Sequence, residues 1–154
     1  MFWCKRALVC VWLLAAVPAC AFTFSYGSLF EVKDVKNTGG ALVLPLTRGE
    51  YKNVKVLSKE VYDFLLKCSA DCRYGGAGAA FEVRDFRKAL TRERMLIADI
   101  AFNQEIILTF LVFKNKDGFS VKAPQEAVFK DRKLYRQVRQ KLTQVAEETD
   151  SFEL

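Results

Sequence analysis

Histidine does not occur anywhere in the 154 residues. Its absence removes the commonest general base, the commonest zinc ligand and every Ser–His or Cys–His nucleophile pair. A Cys/His zinc site is excluded, and catalysis would have to rest on carboxylate, lysine, tyrosine or cysteine alone. The C-x-x-C pair of redox enzymes is missing as well. No repeat, low-complexity tract or Pro/Gly/Ser-rich linker divides the chain, which therefore reads as one domain after its leader. No Asn-x-Ser/Thr sequon occurs at Asn37, Asn53, Asn103 or Asn115. The run Gly75-Gly76-Ala77-Gly78-Ala79-Ala80 lacks the flanking strand, the following helix and the Lys-Ser/Thr pair of a phosphate-cradling loop. It reads as a connector, with no nucleotide and no other cofactor expected.

What is present begins with an export signal. Lys5 and Arg6 precede an apolar run from Ala7 to Val17, and Pro18-Ala19-Cys20-Ala21 closes it with small residues. That order is the basic, apolar, small-residue sequence of a secretory leader over residues 1–21, with cleavage expected before Phe22. Two alternatives remain. The stretch from Ala7 to Phe24 approaches the length of an uncleaved membrane anchor. Val17-Pro18-Ala19-Cys20 resembles a lipoprotein processing box, which would put a lipid on Cys20 and tether the protein to a membrane.

Export sets the redox environment. Of five cysteines, Cys4, Cys10 and Cys20 fall in the leader, leaving Cys68 and Cys72 as a pair in an oxidising compartment. Their C-x-x-x-C spacing predicts a disulfide, formed more easily if the preceding helix ends near Cys68. The chain carries +6, and loss of Lys5 and Arg6 with the leader removes two of those charges. The remainder is too small and too evenly spread to argue for nucleic acid.

The mature chain reads as α+β: an antiparallel sheet of about five to seven strands packed with two helices. Phe24, Tyr26, Leu29, Phe30, Val32 and Val35 mark early strands, followed by a turn at Asn37-Thr38-Gly39-Gly40 and an edge run from Ala41 to Leu46. Val54–Val56 alternates as a short strand. Ser58 caps a helix whose Val61, Phe64, Leu65 and Cys68 recur at helical spacing, and which should end before Gly75-Gly76. Phe81 to Phe86 gives another strand. Met95 to Phe102, Glu105 to Phe113 and Phe119 to Lys122 form a three-strand meander whose middle member is apolar on both faces and hence central. A helix over about 131–148 closes the chain, with Asp131 as cap, Phe129 packing back on its first turn and Leu134, Val138, Leu142 and Val145 as its buried stripe.

Four features carry the functional argument. Lys130, Arg132, Lys133, Arg136, Arg139 and Lys141 crowd the start of the last helix, while Glu147 and Glu148 lie near its end. This order opposes the helix dipole, so an anionic membrane surface or an acidic envelope protein is the expected partner. Asp99 sits inside an apolar strand. Buried, it would need Arg92, Arg94 or another base and would be a candidate functional carboxylate; otherwise it points from an open sheet face. Phe22, Phe24, Tyr26 and Phe30 serve core packing or line a ligand groove. The doubly apolar strand could line a cavity. The reading is an exported, non-enzymatic binding or structural protein of the cell envelope, periplasmic or secreted. Its alternatives are an apolar-ligand carrier and a small histidine-independent hydrolase with a buried carboxylate. No catalytic or metal-binding residue is assigned, and nothing in the pattern specifies an oligomer.

Overall fold

Period-two alternation builds the first hairpin. In β1 (Ala21–Tyr26) Phe22, Phe24 and Tyr26 point inward, and in β2 (Phe30–Asn37) Phe30 and Val32 do, with Val35 returned to the same face by an irregularity at which Asp34 has φ 60°. The computed structural model describes residues 19–45, 51–76 and 78–151. The chain continues through β3 (Leu42–Val43), β4 (Val54–Val56), α1 (Lys59–Leu66), β5 (Cys72–Tyr74), β6 (Phe81–Lys88), β7 (Met95–Phe102), β8 (Ile106–Asn115), β9 (Gly118–Lys122), β10 (Ala127–Phe129) and α2 (Arg132–Ser151). It is a single α+β domain with two described helices.

Ten described strands form two five-stranded sheets. The first runs β10-β2-β1-β5, with β3 also on β2; the second runs β4-β8-β7-β6, with β9 also on β8. Every pairing is antiparallel except β1 with β5. The expected meander is β7, β8 and β9, and β8 is central. Ile106, Leu108, Phe110 and Val112 face the main core together with Ile100 and Phe102 of β7. Phe24, Tyr26, Phe30 and Val32 meet them from the first sheet. On the reverse face Leu111 and Phe113 join Met95, Ile97, Ala89 and Tyr51 in a smaller cluster. Both faces of β8 are thus packed against side chains. Phe22, Phe24, Tyr26 and Phe30 are all buried in the core.

The β7–β8 turn has both central residues in the left-handed region, Asn103 at φ 50° and Gln104 at φ 60°. Glu105 N–H closes it on the Phe102 carbonyl at 3.0 Å. Phe102 pairs with Ile106, so Asn103, Gln104 and Glu105 form the connection, with left-handed residues at its first two positions.

The region around the cysteines departs from the sequence reading. Ser58 caps α1 through the Val61 N–H at 3.4 Å, and the helix ends at Leu66, before Gly75 as expected but short of Cys68, which the helical spacing includes. Cys72–Tyr74 is a strand, added parallel to β1 with Cys72 opposite Phe24. Cys68 and Cys72 are joined, Cα to Cα 6.2 Å, and the bridge lies wholly beyond the helix. The small-residue run that follows is exposed at its described positions, and Ala77 lies outside the described residues. The close approach is made by Gly27, whose N–H meets the Tyr74 carbonyl at 2.9 Å. At its φ of 54° a Cβ would lie 3.6 Å from Gly76 Cα.

α2 starts where expected, with Asp131 Oδ1 accepting the Leu134 N–H at 2.9 Å, and it continues to Ser151. Leu134, Val138 and Leu142 are buried, but the fourth fully buried position is Ala146, with Val145 only partly covered. A four-residue step carries the stripe on from Leu142 to Ala146 as the helix turns across β8 and β9. No described helix is long and apolar enough to cross a membrane. Lys5, Arg6, Cys4, Cys10, the run Ala7–Val17, Pro18 and Leu46 lie outside the described residues. Cys20 is exposed and unbridged. Ala21 already pairs with Lys36, so a cut before Phe22 takes one residue from β1.

Candidate anion-binding cleft

Helical spacing assembles the site. Arg132, Arg136 and Arg139 stand at i, i+4 and i+7 and so share one face of α2. They form one wall of a cleft of about 810 Å³ whose other wall is Ala123 and the strand β10. The floor is aromatic: Phe129 and Tyr135 stack with ring centroids 4.9 Å apart. The Arg139 guanidinium lies 5.7 Å from the Tyr135 ring, a cation–π contact of about 0.5–1 kcal/mol at an exposed position. Among the described residues no carboxylate forms an ion pair with Arg132 or Arg136. Gln144 and Glu147 line the far end, so positive charge is concentrated toward the N-terminal half of the helix.

The six basic residues expected to act together are therefore split. Arg132, Arg136 and Arg139 converge on the cleft. Lys133 and Lys141 are exposed on α2 away from it. Lys130, just before the helix, pairs with Glu31 of β2 at 3.2 Å. The first turn of α2 contains no acid, so Arg132 and Lys133 oppose the dipole at a cost of about 0.3–1 kcal/mol each.

Asp99 is 5% exposed, and its base is Lys55, not Arg92 or Arg94. Thr109 Oγ1 lies 2.7 Å from Asp99 Oδ1 and 2.7 Å from the Lys52 carbonyl. Register explains the trio: Asp99 sits opposite Thr109, on the face of the second sheet turned away from the main core. The carboxylate is held by these partners and ties residues 52–55 across β8. Asp99 is thus buried with a basic partner rather than pointing from an open sheet face.

One polar cluster had no counterpart in the sequence reading. Tyr26 donates its hydroxyl hydrogen to Glu105 Oε2, Asn103 Nδ2 donates to the same hydroxyl at 3.1 Å, and Tyr74 donates to Glu105 Oε1 at 3.4 Å. Burial, reinforced by the Glu105 carboxylate, pushes the Tyr26 phenol well above its ordinary value. Tyr74 is raised in the same direction, again by burial first, then by Glu105 and Glu60. These groups lie far apart in sequence, and only the juxtaposition of the two sheets unites them. Among the described residues no cluster of three or more acidic or cysteine side chains is arranged to hold a metal.

Compared with known protein families, with curated proteins and with solved structures, the chain finds no match in any of the three.

Proposed function

We propose that this is an exported, non-enzymatic binding protein of the cell envelope that holds an anionic group of its partner in the cleft between α2 and β10. The observation that carries the reading is the arginine row, in which Arg132 and Arg136 have no carboxylate partner among the described residues, set beside an aromatic floor. Guanidinium groups present paired donors to carboxylate or phosphate, and nothing within the described chain uses those of Arg132 and Arg136. The leader-like start and the Cys68–Cys72 pair support an oxidising compartment outside the cytoplasm.

The test is a triple variant, R132Q/R136Q/R139Q, assayed for retention on polyglutamate and on phosphatidylglycerol vesicles at low and moderate salt. We expect affinity for whichever anion binds to fall about threefold to a hundredfold, three exposed contacts each contributing about 0.2–1 kcal/mol. Thermal unfolding should change little, since loss of the Arg139–Tyr135 contact and relief of the unfavourable dipole position of Arg132 oppose each other. Binding equal to the wild type removes the proposal. Intact mass of protein from the native envelope fraction tests the export half: a start at Phe22 supports a soluble form. A start at Cys20 with added acyl mass makes it a tethered lipoprotein, and a start at Met1 in the cytoplasmic fraction overturns export.

A further inference from the structure

We infer that the occupant of this cleft is an acidic peptide segment of a partner protein, bound in extended conformation as an added strand on β10; the inference rests on reading the cleft as an anion site. β10 ends the order of its sheet, paired with β2 on one side and with no described strand on the other. Its register places Ala127 opposite Val32, Val128 opposite Glu31 and Phe129 opposite Phe30. Lys33 N–H bonds the Glu126 carbonyl at 2.9 Å and Lys130 N–H bonds the Leu29 carbonyl at 2.9 Å. Since hydrogen-bonded pairs alternate along an antiparallel ladder, residues 126, 128 and 130 turn their backbone groups toward β2, and 127 and 129 turn theirs away. The Pro124 carbonyl takes the Ala127 N–H at 3.0 Å. The Ala127 carbonyl and both backbone groups of Phe129 are left facing outward.

The cleft lies along that edge. It is lined by Ala127, Val128 and Phe129 in succession, and neighbouring strand residues point their side chains to opposite faces. Three consecutive residues line one cavity when the cavity follows the strand's edge. Across from it, Arg132 to Arg139 spans about 10 Å of helix at 1.5 Å per residue. Alternate side chains of a strand repeat every ~6.8 Å. A strand added to β10 with acids at alternate positions thus brings two of them within the arginine row, while its backbone meets the free groups of Ala127 and Phe129. Strand addition of this kind draws affinity from main-chain bonds and specificity from alternate side chains.

The floor argues against a single lipid tail. The Phe129 ring packs on Phe30, Phe102, Phe110 and Tyr135, with centroids 5.5, 5.9, 5.9 and 4.9 Å away. The space beneath the Phe129 ring is thus occupied by other aromatic side chains.

The probe is an end-capped, fluorescein-labelled octapeptide of alternating Glu and Val, beside a Lys–Val counterpart and two forms N-methylated along one edge or the other. Binding is read by anisotropy, and the Phe129 amide by hydrogen exchange in ¹⁵N-labelled protein. We expect the Glu–Val peptide to bind and the Lys–Val peptide not to. N-methylation of one edge should weaken binding about tenfold or more while the other edge tolerates it, and exchange at Phe129 should slow about tenfold or more. Equal affinities of the two N-methylated forms, or a Phe129 amide indifferent to bound peptide, overturn strand addition and leave the anion site standing. Binding of phosphatidylglycerol vesicles without binding of the peptide assigns the face to a membrane and overturns the inference. If neither anion binds, this inference and the proposed function fall together.

Discussion

Tyr26 of β1 donates a hydrogen bond to Glu105 in the β7–β8 turn, across 79 residues of sequence and from one sheet to the other. Asn103 and Tyr74 complete the cluster. The bond fixes the first hairpin against the meander at a point where both sheets otherwise meet through hydrocarbon and aromatic rings. Phe30 and Phe102, for example, lie 5.0 Å apart edge to face.

Replacing Tyr26 with Phe keeps the ring and removes the donor, leaving Glu105 only the longer contact with Tyr74. The expected loss is about 1–3 kcal/mol, the cost of an incompletely satisfied polar group away from water. Urea unfolding should show a lower midpoint with an unchanged slope.

The same phenol gives a pH signature. Its value in the folded chain is raised, so above the ordinary tyrosine value of about 10 the unfolded chain sheds a proton that the folded one keeps. The Tyr26 contribution is therefore complete below about pH 10 and declines as pH rises toward the folded value. Unfolding free energy measured between about pH 9 and 11 should fall less steeply in the Tyr26→Phe variant than in the wild type. Parallel slopes would separate Tyr26 from the alkaline loss.

Opening the Cys68–Cys72 bridge, by reductant or by the double substitution to serine, should lower stability by about 2 kcal/mol, since the loop it closes is short. Redox chemistry is not required for binding on the present reading. Retention on polyglutamate should survive reduction at a temperature where the protein stays folded.

The buried stripe of α2 is tested by two truncations. Leu142→Ala should cost about 2–5 kcal/mol, as for other fully buried leucines. Val145→Ala, at a position only partly covered, should cost about 1 kcal/mol or less. Comparable losses in a thermal or urea series would mean that the helix is rotated from the orientation described.

Lys55 and Asp99 predict an asymmetry. Lys55→Ala strands a buried carboxylate and should cost about 1–3 kcal/mol, toward the low end because the lysine is itself partly solvated. Asp99→Ala frees a lysine that can turn to water, and Thr109 keeps the Lys52 carbonyl, so the loss should be smaller. Stability of the two single variants and their double decides it.

Much of this architecture was legible because its signals are local. The dense apolar runs of β7 and β8, the turns that join them to β9, the Ser58 and Asp131 caps and the arginines spaced to share a face of α2 are all written within windows of a few residues. The unread parts are non-local or short. Cys72–Tyr74 and Ala127–Phe129 are strands only because β1 and β2 offer them an edge, and three residues carry no period of their own. The division into two sheets also depends on long-range pairing. Half of the cleft was visible as the basic face of a helix; the facing wall, Ala123 and β10, comes from that same pairing. Sequence places Lys130 beside the arginines, whereas Glu31, which takes it, is about a hundred residues away in the chain.

The strands visit the two sheets in turn: β1, β2 and β3 in the first, β4 in the second, β5 back in the first, β6 to β9 in the second, and β10 again in the first. No single cut in the backbone delivers the sheets as separate pieces, so neither could have been added to the other as a ready-made half. In a chain made from its N-terminus, the sheet begun first is finished last. The outer edge of β2 opposite Phe30 and Val32 stays uncovered until residues 127–129 have been made.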